Sequence, residues 1–199
     1  MSDPRISTET LILASKSPRR YALLSQAGLS FTVIPSTVDE RDVPKGRPVE
    51  YVTQTAKAKA EEVSTRYPEH WVIGADTAIV LSDHILGKPG DTTEARWMLS
   101  QLNNTVHTVF TGYCISCKER GRFLSGVNET EVEFRRIRES EMDWYIGTGE
   151  PFGKAGGYAV QGLGGTFVKR IVGSYTNVVG LPLCEVVACL MEEGAVRRG

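Results

Sequence analysis

Leu11–Gly28 reads LILASKSPRRYALLSQAG, an apolar run followed by a polar turn and then a helical pattern. Leu11–Ala14 is expected as a buried strand. Pro18–Ala27 is expected as a helix carrying apolar Ala22, Leu23, Leu24 and Ala27. Ser17 precedes a proline at the first helical position, and Gly28 stands where a left-handed residue ends a helix. Arg19 and Arg20 are the anomaly. A helix N-terminus carries partial positive charge, so cations in its first turn are mildly unfavourable. The free amides there favour an anion, guanidinium forks match phosphate oxygens, and Ser15 and Ser17 add hydroxyls. A bound phosphate would reconcile that charge placement. Two solvated arginines paired with acidic neighbours are the alternative.

Working outward, strands and helices keep alternating. Phe31–Pro35 reads as a strand, STVDERDVPKGRP as a polar loop and Val49–Arg66 as a helix. WVIGADTAIVL, Trp71–Leu81, begins as a buried strand; Ser82-Asp83-His84 turn it, and Ile85–Gly87 pair back. Asp91 and Glu94 have capping-box spacing and open a helix to Leu102, which Asn103-Asn104 end. Val106–Lys118 and Phe123–Ile137 read as long strands around ERGR. Ser140 is expected to cap a short helix to Ile146. A glycine-dense stretch, GTGEPFGKAGGYAVQGLGGT, leads to a strand at Phe167–Val172, and a last helix runs from Pro182 to Gly194. Hairpins together with helical crossovers predict an α/β protein with a mixed sheet. A chain of 199 residues suits one domain, or two closely joined lobes.

A net charge of −1 argues against a protein that coats nucleic acid. No run of 18 apolar residues offers a membrane span. MSDPRISTET is polar and lacks a signal peptide's apolar stretch, so the expected compartment is the cytoplasm. Cys114 and Cys117 form a C-x-x-C in a strand, where positions three apart face opposite ways. Cys184 and Cys189 have a different spacing. Reduced, partly buried thiols are expected rather than a zinc site.

The candidate chemistry is acidic and basic. Asp39 and Glu40 follow a strand end. Asp76 interrupts an apolar strand, and an unpartnered carboxylate is costly to bury, so it needs a metal, a cation or a set of donors. Lys57 and Lys59 lie on a helix, where such lysines are usually solvated, and Lys88 follows the returning strand in LGKPGD. Lys154 and Gln161 lie among glycines, which let backbone approach a ligand. There is no GxxxxGK[ST], no nucleophile elbow, and no ligand spacing among His70, His84 and His107. These stretches together suggest a phosphate site with carboxylates for a hard cation such as Mg²⁺.

LASKSPRRYALLSQAG, VDE, AKAKA, VIGADTAIVL, LGKP, HTVFTG, GKAGGYAVQGLGG and GSYTNVVGLPL resemble, in order, the blocks of the Maf family of nucleoside triphosphate pyrophosphatases. The resemblance covers about residues 11–190 of a single 1–199 domain. It implies a long twisted mixed sheet with flanking helices, in two lobes with a central cleft, similar to inosine triphosphate pyrophosphatases. It implies hydrolysis of a nucleoside triphosphate to the monophosphate and pyrophosphate, with Mg²⁺ or Mn²⁺. SPRR, GADT and the glutamine of VQG resemble the branch acting on dTTP and UTP. By position, Ser15, Arg19 and Arg20 match the phosphate-binding turn, Glu40 and Asp76 the acidic pair near the metal, and Asp76 the catalytic base. Lys59 and Lys88 match basic substrate-binding residues, and Arg19, Thr77 and Gln161 match positions linked to base preference. Gly153 stands where many relatives have Asp, and Asn103-Asn104 replace a more usual Ser-Gly. A 7-methyl-GTP substrate, a non-turning-over nucleotide-binding regulator and a homodimer stay open.

Overall fold

The computed structural model describes residues 7–8, 11–44 and 46–197. Most of the polar N-terminal stretch, and Lys45 of the polar loop, lie outside the described residues. In chain order the elements are β1 (Ser7–Thr8), β2 (Leu11–Leu13), α1 (Pro18–Gln26), β3 (Thr32–Val33), α2 (Pro48–Arg66), β4 (Trp71–Leu81), β5 (His84–Leu86) and α3 (Thr92–Leu102). They continue with β6 (Val106–Cys117), β7 (Arg122–Phe134), α4 (Glu139–Gly147), β8 (Val168–Val172), α5 (Tyr175–Val179), α6 (Leu183–Glu192) and β9 (Val196–Arg197). Among the described residues, a seven-stranded sheet runs β3-β2-β4-β6-β7-β8, with β5 also on β4. β2 pairs parallel with β3 and β4, whereas β4–β5 and β7–β8 are antiparallel, so the sheet is mixed as expected. β1 pairs antiparallel with β9. Among the described residues, no helix is long and apolar enough to cross a membrane.

The chain divides into two compact units. The first comprises Met1–Asp76, Thr111–Asn128 and Gly180–Gly199 as far as they are described; the second comprises Thr77–Phe110 and Glu129–Val179. In the first, Ala56, Ala60 and Val63 of α2 bury against Ile12, Val72 and Cys114. The helix sits very close to the strands. A Cβ on Gly74 would meet the Ala56 carbonyl oxygen at 2.4 Å, and one on Gly112 the Val52 carbonyl oxygen at 2.4 Å. The core of the second unit gathers Leu99, Val132, Phe134, Met142, Tyr145 and Phe167. His107 is buried within it. Its Nε2 lies 2.7 Å from the Tyr158 hydroxyl, and its ring meets Phe134 edge-on. All four cysteines are free thiols, Cys114 and Cys117 buried and Cys184 exposed. Burial pushes the Cys114 thiol up to about 12.

Several expectations shift. The strand at 31–35 shrinks to Thr32–Val33, both exposed, and Pro35 has no amide to extend the pairing. The turn after β4 is Ser82-Asp83 alone, both at positive φ (47° and 66°), with His84 already in β5. Glu94 does not close a capping box on Asp91: it accepts the Gly90 amide at 2.8 Å, while Asp91 accepts the Glu94 amide at 2.8 Å. Ser140 lies inside α4 and does not cap it. Arg138 is the N-cap, and Glu141 reaches back to its amide at 3.0 Å. β7 stops at Phe134, because the Asn103 side chain takes both backbone groups of Ile137, its N–H at 2.6 Å and its carbonyl at 3.1 Å. The short helix α5 carries no apolar period long enough to announce it.

Two outcomes are expected. Gly112→Ala forces α2 off the strands, and urea unfolding should show a loss of ~1–3 kcal/mol, typical of an overpacked core. Burial holds the His107 imidazolium down at about 4, against an ordinary 6.5. The unfolded chain therefore binds the extra proton between these values, and the stabilising effect of neutral His107 is lost as pH falls from 6.5 toward 4. The stability advantage of wild type over His107→Phe should shrink by roughly 3 kcal/mol across that window, read from urea unfolding at stepped pH.

Candidate active site

The end of β2 leads into α1 through a tightly bonded turn. Ser15 Oγ accepts the Ser17 amide at 3.2 Å and Arg20 Nη1 at 3.0 Å. Ser17 is the N-cap, as its position before Pro18 predicts, and its hydroxyl faces the Arg20 amide. Arg20 is buried, and its Nε donates to the Gly180 carbonyl at 2.7 Å. It is therefore not the solvated arginine of the alternative reading. Burial lowers its basicity, with Asp76 and then Glu40 opposing that effect. Arg19 is half-buried beside it.

Lys59 explains Asp76. Val52, Thr55, Ala56, Lys59, Ala60 and Val63 recur at three- and four-residue spacing and are all buried, so they form the inward face of α2. Lys59 thus enters the interior, whereas Lys57 is only half-buried. The expectation of a solvated Lys59 is overturned by that periodicity. Its Nζ donates to Glu40 Oε1 at 2.6 Å and to Asp76 Oδ1 at 2.8 Å. The Lys59 and Asp76 side chains are each 8% exposed and that of Glu40 34%, so the cluster opens to solvent on the glutamate side. Burial raises the Asp76 carboxyl above the usual aspartate range; Lys59 pulls it down, Glu40 pushes it up and Arg20 pulls it down. Glu40 opens a 3-10 turn, Glu40–Asp42, which Asp39 caps by accepting the Arg41 amide at 2.9 Å. Asp39 also pairs with the Arg41 side chain at 2.6 Å, which gives it a local structural task.

Tyr51 went unnoticed in the sequence. It lies two turns before Lys59 on α2 and is buried, and its phenol is pushed up to about 12 by burial, by Asp76 and by Glu40. Its spacing to Thr55 and Lys59, four residues each, was the available signal. Ser15, Arg19, Arg20, Glu40, Lys59 and Asp76 all belong to the first unit. Thr77, Lys88 and Gln161 belong to the second, where Thr77 is half-buried and the other two are exposed. Lys154 Nζ donates to the Glu150 carbonyl at 2.5 Å.

Among the described residues, no group of three or more His, Cys, Asp or Glu side chains could hold a metal ion. Glu40 and Asp76 nevertheless supply two hard carboxylates, of whose charge Lys59 offsets half. That donor set suits a cation completed mainly by ligand oxygens and water. The arrangement offers a buried, partly screened carboxylate that can accept a proton, with cations beside it for an anionic group.

Residues 10–193 match the family described as Maf-like protein. A dTTP/UTP pyrophosphatase of Syntrophus aciditrophicus is 47% identical over 189 residues, covering 95% of this chain and 92% of that protein. One from Anaeromyxobacter dehalogenans is 49% identical over 186 residues, covering 92% of this chain and 94% of its own length. A solved HAM1 protein from Coxiella burnetii aligns over 92% of this chain and 98% of that one, at 15% identity and a TM-score of 0.49.

Lys59→Met leaves two carboxylates facing each other without their shared counter-ion. Its expected cost is ~3 kcal/mol, the scale for removing one partner of a buried pair, read from urea unfolding at pH 8. Adding Glu40→Gln should recover part of that loss, because one of the two stranded charges is then gone.

Proposed function

The chain belongs to the Maf family, and on that premise we propose that it hydrolyses nucleoside triphosphates, foremost dTTP and UTP, to the monophosphate and pyrophosphate. The observation that carries this reading is the ammonium of Lys59 held between the carboxylates of Asp76 and Glu40. Relatives of near-equal length that are named dTTP/UTP pyrophosphatase support it. In this reading the enzyme works in the cytoplasm on free nucleotides, and a homodimer is compatible with it.

The chemistry follows from charge and position. A water attacks the α-phosphorus and pyrophosphate leaves. Asp76 orients that water and accepts its proton, a task for which burial suits it by raising its proton affinity. Arg19 and the α1 amides meet phosphate oxygens. Arg20, tied to Ser15 and Gly180, supplies a fixed positive charge beside the two acids. Lys59 moves its hydrogen bonds from carboxylate to phosphate as the polyphosphate arrives. Thr77, Lys88 and Gln161 contact substrate, with Arg19, Thr77 and Gln161 bearing on the base. Glu40 and Asp76 are the residues that would hold Mg²⁺ or Mn²⁺, which when bound neutralises phosphate charge and polarises the phosphoryl oxygens.

Pyrophosphate release should be measured with dTTP, UTP, CTP and 7-methyl-GTP. Release from dTTP and UTP above the others is expected, and no release from any would refute the reading. Asp76→Asn, close in shape, should keep the fold and lower turnover by ~10²-fold or more, the scale of a lost general base.

A further inference from the structure

Residues 35–40 form a strap along α2, and one stripe of that helix holds them at three levels. Arg66 Nη2 reaches the Pro35 carbonyl at 3.5 Å, Glu62 Oε2 accepts the Thr37 amide at 3.2 Å, and Lys59 Nζ donates to Glu40 Oε1 at 2.6 Å. The three holding residues fall at three- and four-residue spacing, which puts them on one helix face, and the strap runs antiparallel to the helix. Arg66 also braces Glu62, Nε to Oε1 at 2.8 Å and Nη2 to Oε2 at 3.1 Å. Burial works against the Glu62 charge, but Arg66, the Thr37 amide and the Ser36 hydroxyl hold its carboxyl below the usual glutamate range. Ser36 Oγ accepts the Val38 amide at 3.1 Å as well. Glu62 and Arg66 have no part in the reaction described above. Every residue of this arrangement lies in the first unit.

We propose that Glu62 is a positioning residue for the reaction, anchoring the backbone that brings Glu40 to Lys59 so that one ammonium stays shared between Glu40 and Asp76. This rests on the pyrophosphatase reading above. Both ends of the Glu40 side chain are then held. Lys59 takes the carboxylate, and that ammonium is itself buried and bonded to Asp76 Oδ1 at 2.8 Å. Glu62 takes the backbone three residues upstream, at Thr37. The link between the two ends is short, because three residues span at most ~10 Å. The 3-10 turn Glu40–Asp42, capped by Asp39, stiffens its far end. A polar loop without such an anchor has many conformations, and most would carry Glu40 into water, where its charge is better solvated. Lys59 would then turn wholly to Asp76, and the acid pair that the reaction uses would be reduced to one carboxylate.

Glu62→Ala removes the anchor, suits a helix, and leaves the Lys59, Glu40 and Asp76 side chains in place. Hydrogen exchange of the 36–42 amides should quicken by ~5-fold, the scale of one lost hydrogen bond. Steady-state pyrophosphate release from UTP should show kcat falling ~5-fold with KM within ~2-fold, the pattern of a group needed for chemistry rather than for binding. Glu62→Gln keeps an oxygen for the Thr37 amide and should return kcat to within ~2-fold of wild type. The deciding measurement is a double-mutant cycle. On a Glu40→Gln background, Glu62→Ala should lower kcat by no more than ~1.5-fold further, because the anchor acts through Glu40; a general loosening would lower it ~5-fold on both backgrounds. Equal falls on the two backgrounds, or an unchanged kcat in Glu62→Ala, overturn the assignment. No release by wild type from any nucleotide overturns the functional reading beneath it. Normal release by wild type together with either of those two results overturns only the role of Glu62.

Discussion

One buried ammonium group governs the first unit. Lys59 reaches Glu40 and Asp76 at once, and without it the buried Asp76 carboxylate would lose its counter-ion while still facing the partly exposed Glu40. The pair of acids and the lysine are therefore a single object, held by shared ion pairs. Arg20 adds a second fixed cation in the same field, itself tied by Ser15 and Gly180. In the proposed reaction an incoming polyphosphate would compete for cations already in use, exchanging one set of ion pairs for another rather than filling a bare pocket.

The position of that lysine depends on how closely α2 approaches the sheet. Gly74 and Gly112 leave no side chain between the strands and the helix carbonyls, and the alanines of α2 keep its inner face thin. A long side chain on that face can then travel along the interface to Asp76. Small residues near a charged one thus serve geometry as much as packing. In the second unit the glycines take the opposite part. They fold the chain around the carboxylate of Glu150.

Much of this was legible in the sequence wherever the signal is local. Ser17, Pro18 and Gly28 bounded α1 because capping needs only neighbouring residues, and Gly28 indeed has a positive φ of 76°. Asp76 stood out because a carboxylate in an apolar strand demands a partner. What failed was the partner's name. Lys59 looked solvated when judged as a helical lysine, although the period of α2 pointed it inward. Ser140 looked like a cap until Glu141 supplied the bond from one residue further on. The capture of Ile137 by Asn103 is a tertiary outcome, 34 residues apart, which no local pattern records. Glu62 escaped for the same reason: its partner at Thr37 lies 25 residues away. Thr77, Lys88 and Gln161 carry no local signal of their own and became candidates only through family resemblance.

The bond from Arg20 to the Gly180 carbonyl spans 160 residues of chain. A ribosome releases the two ends far apart in time, so a nascent polypeptide carries its arginine long before the carbonyl that will orient it exists. Such long-range closure is slow compared with helix formation. A prematurely terminated product lacking the GLP turn would hold that guanidinium by its Ser15 bond alone.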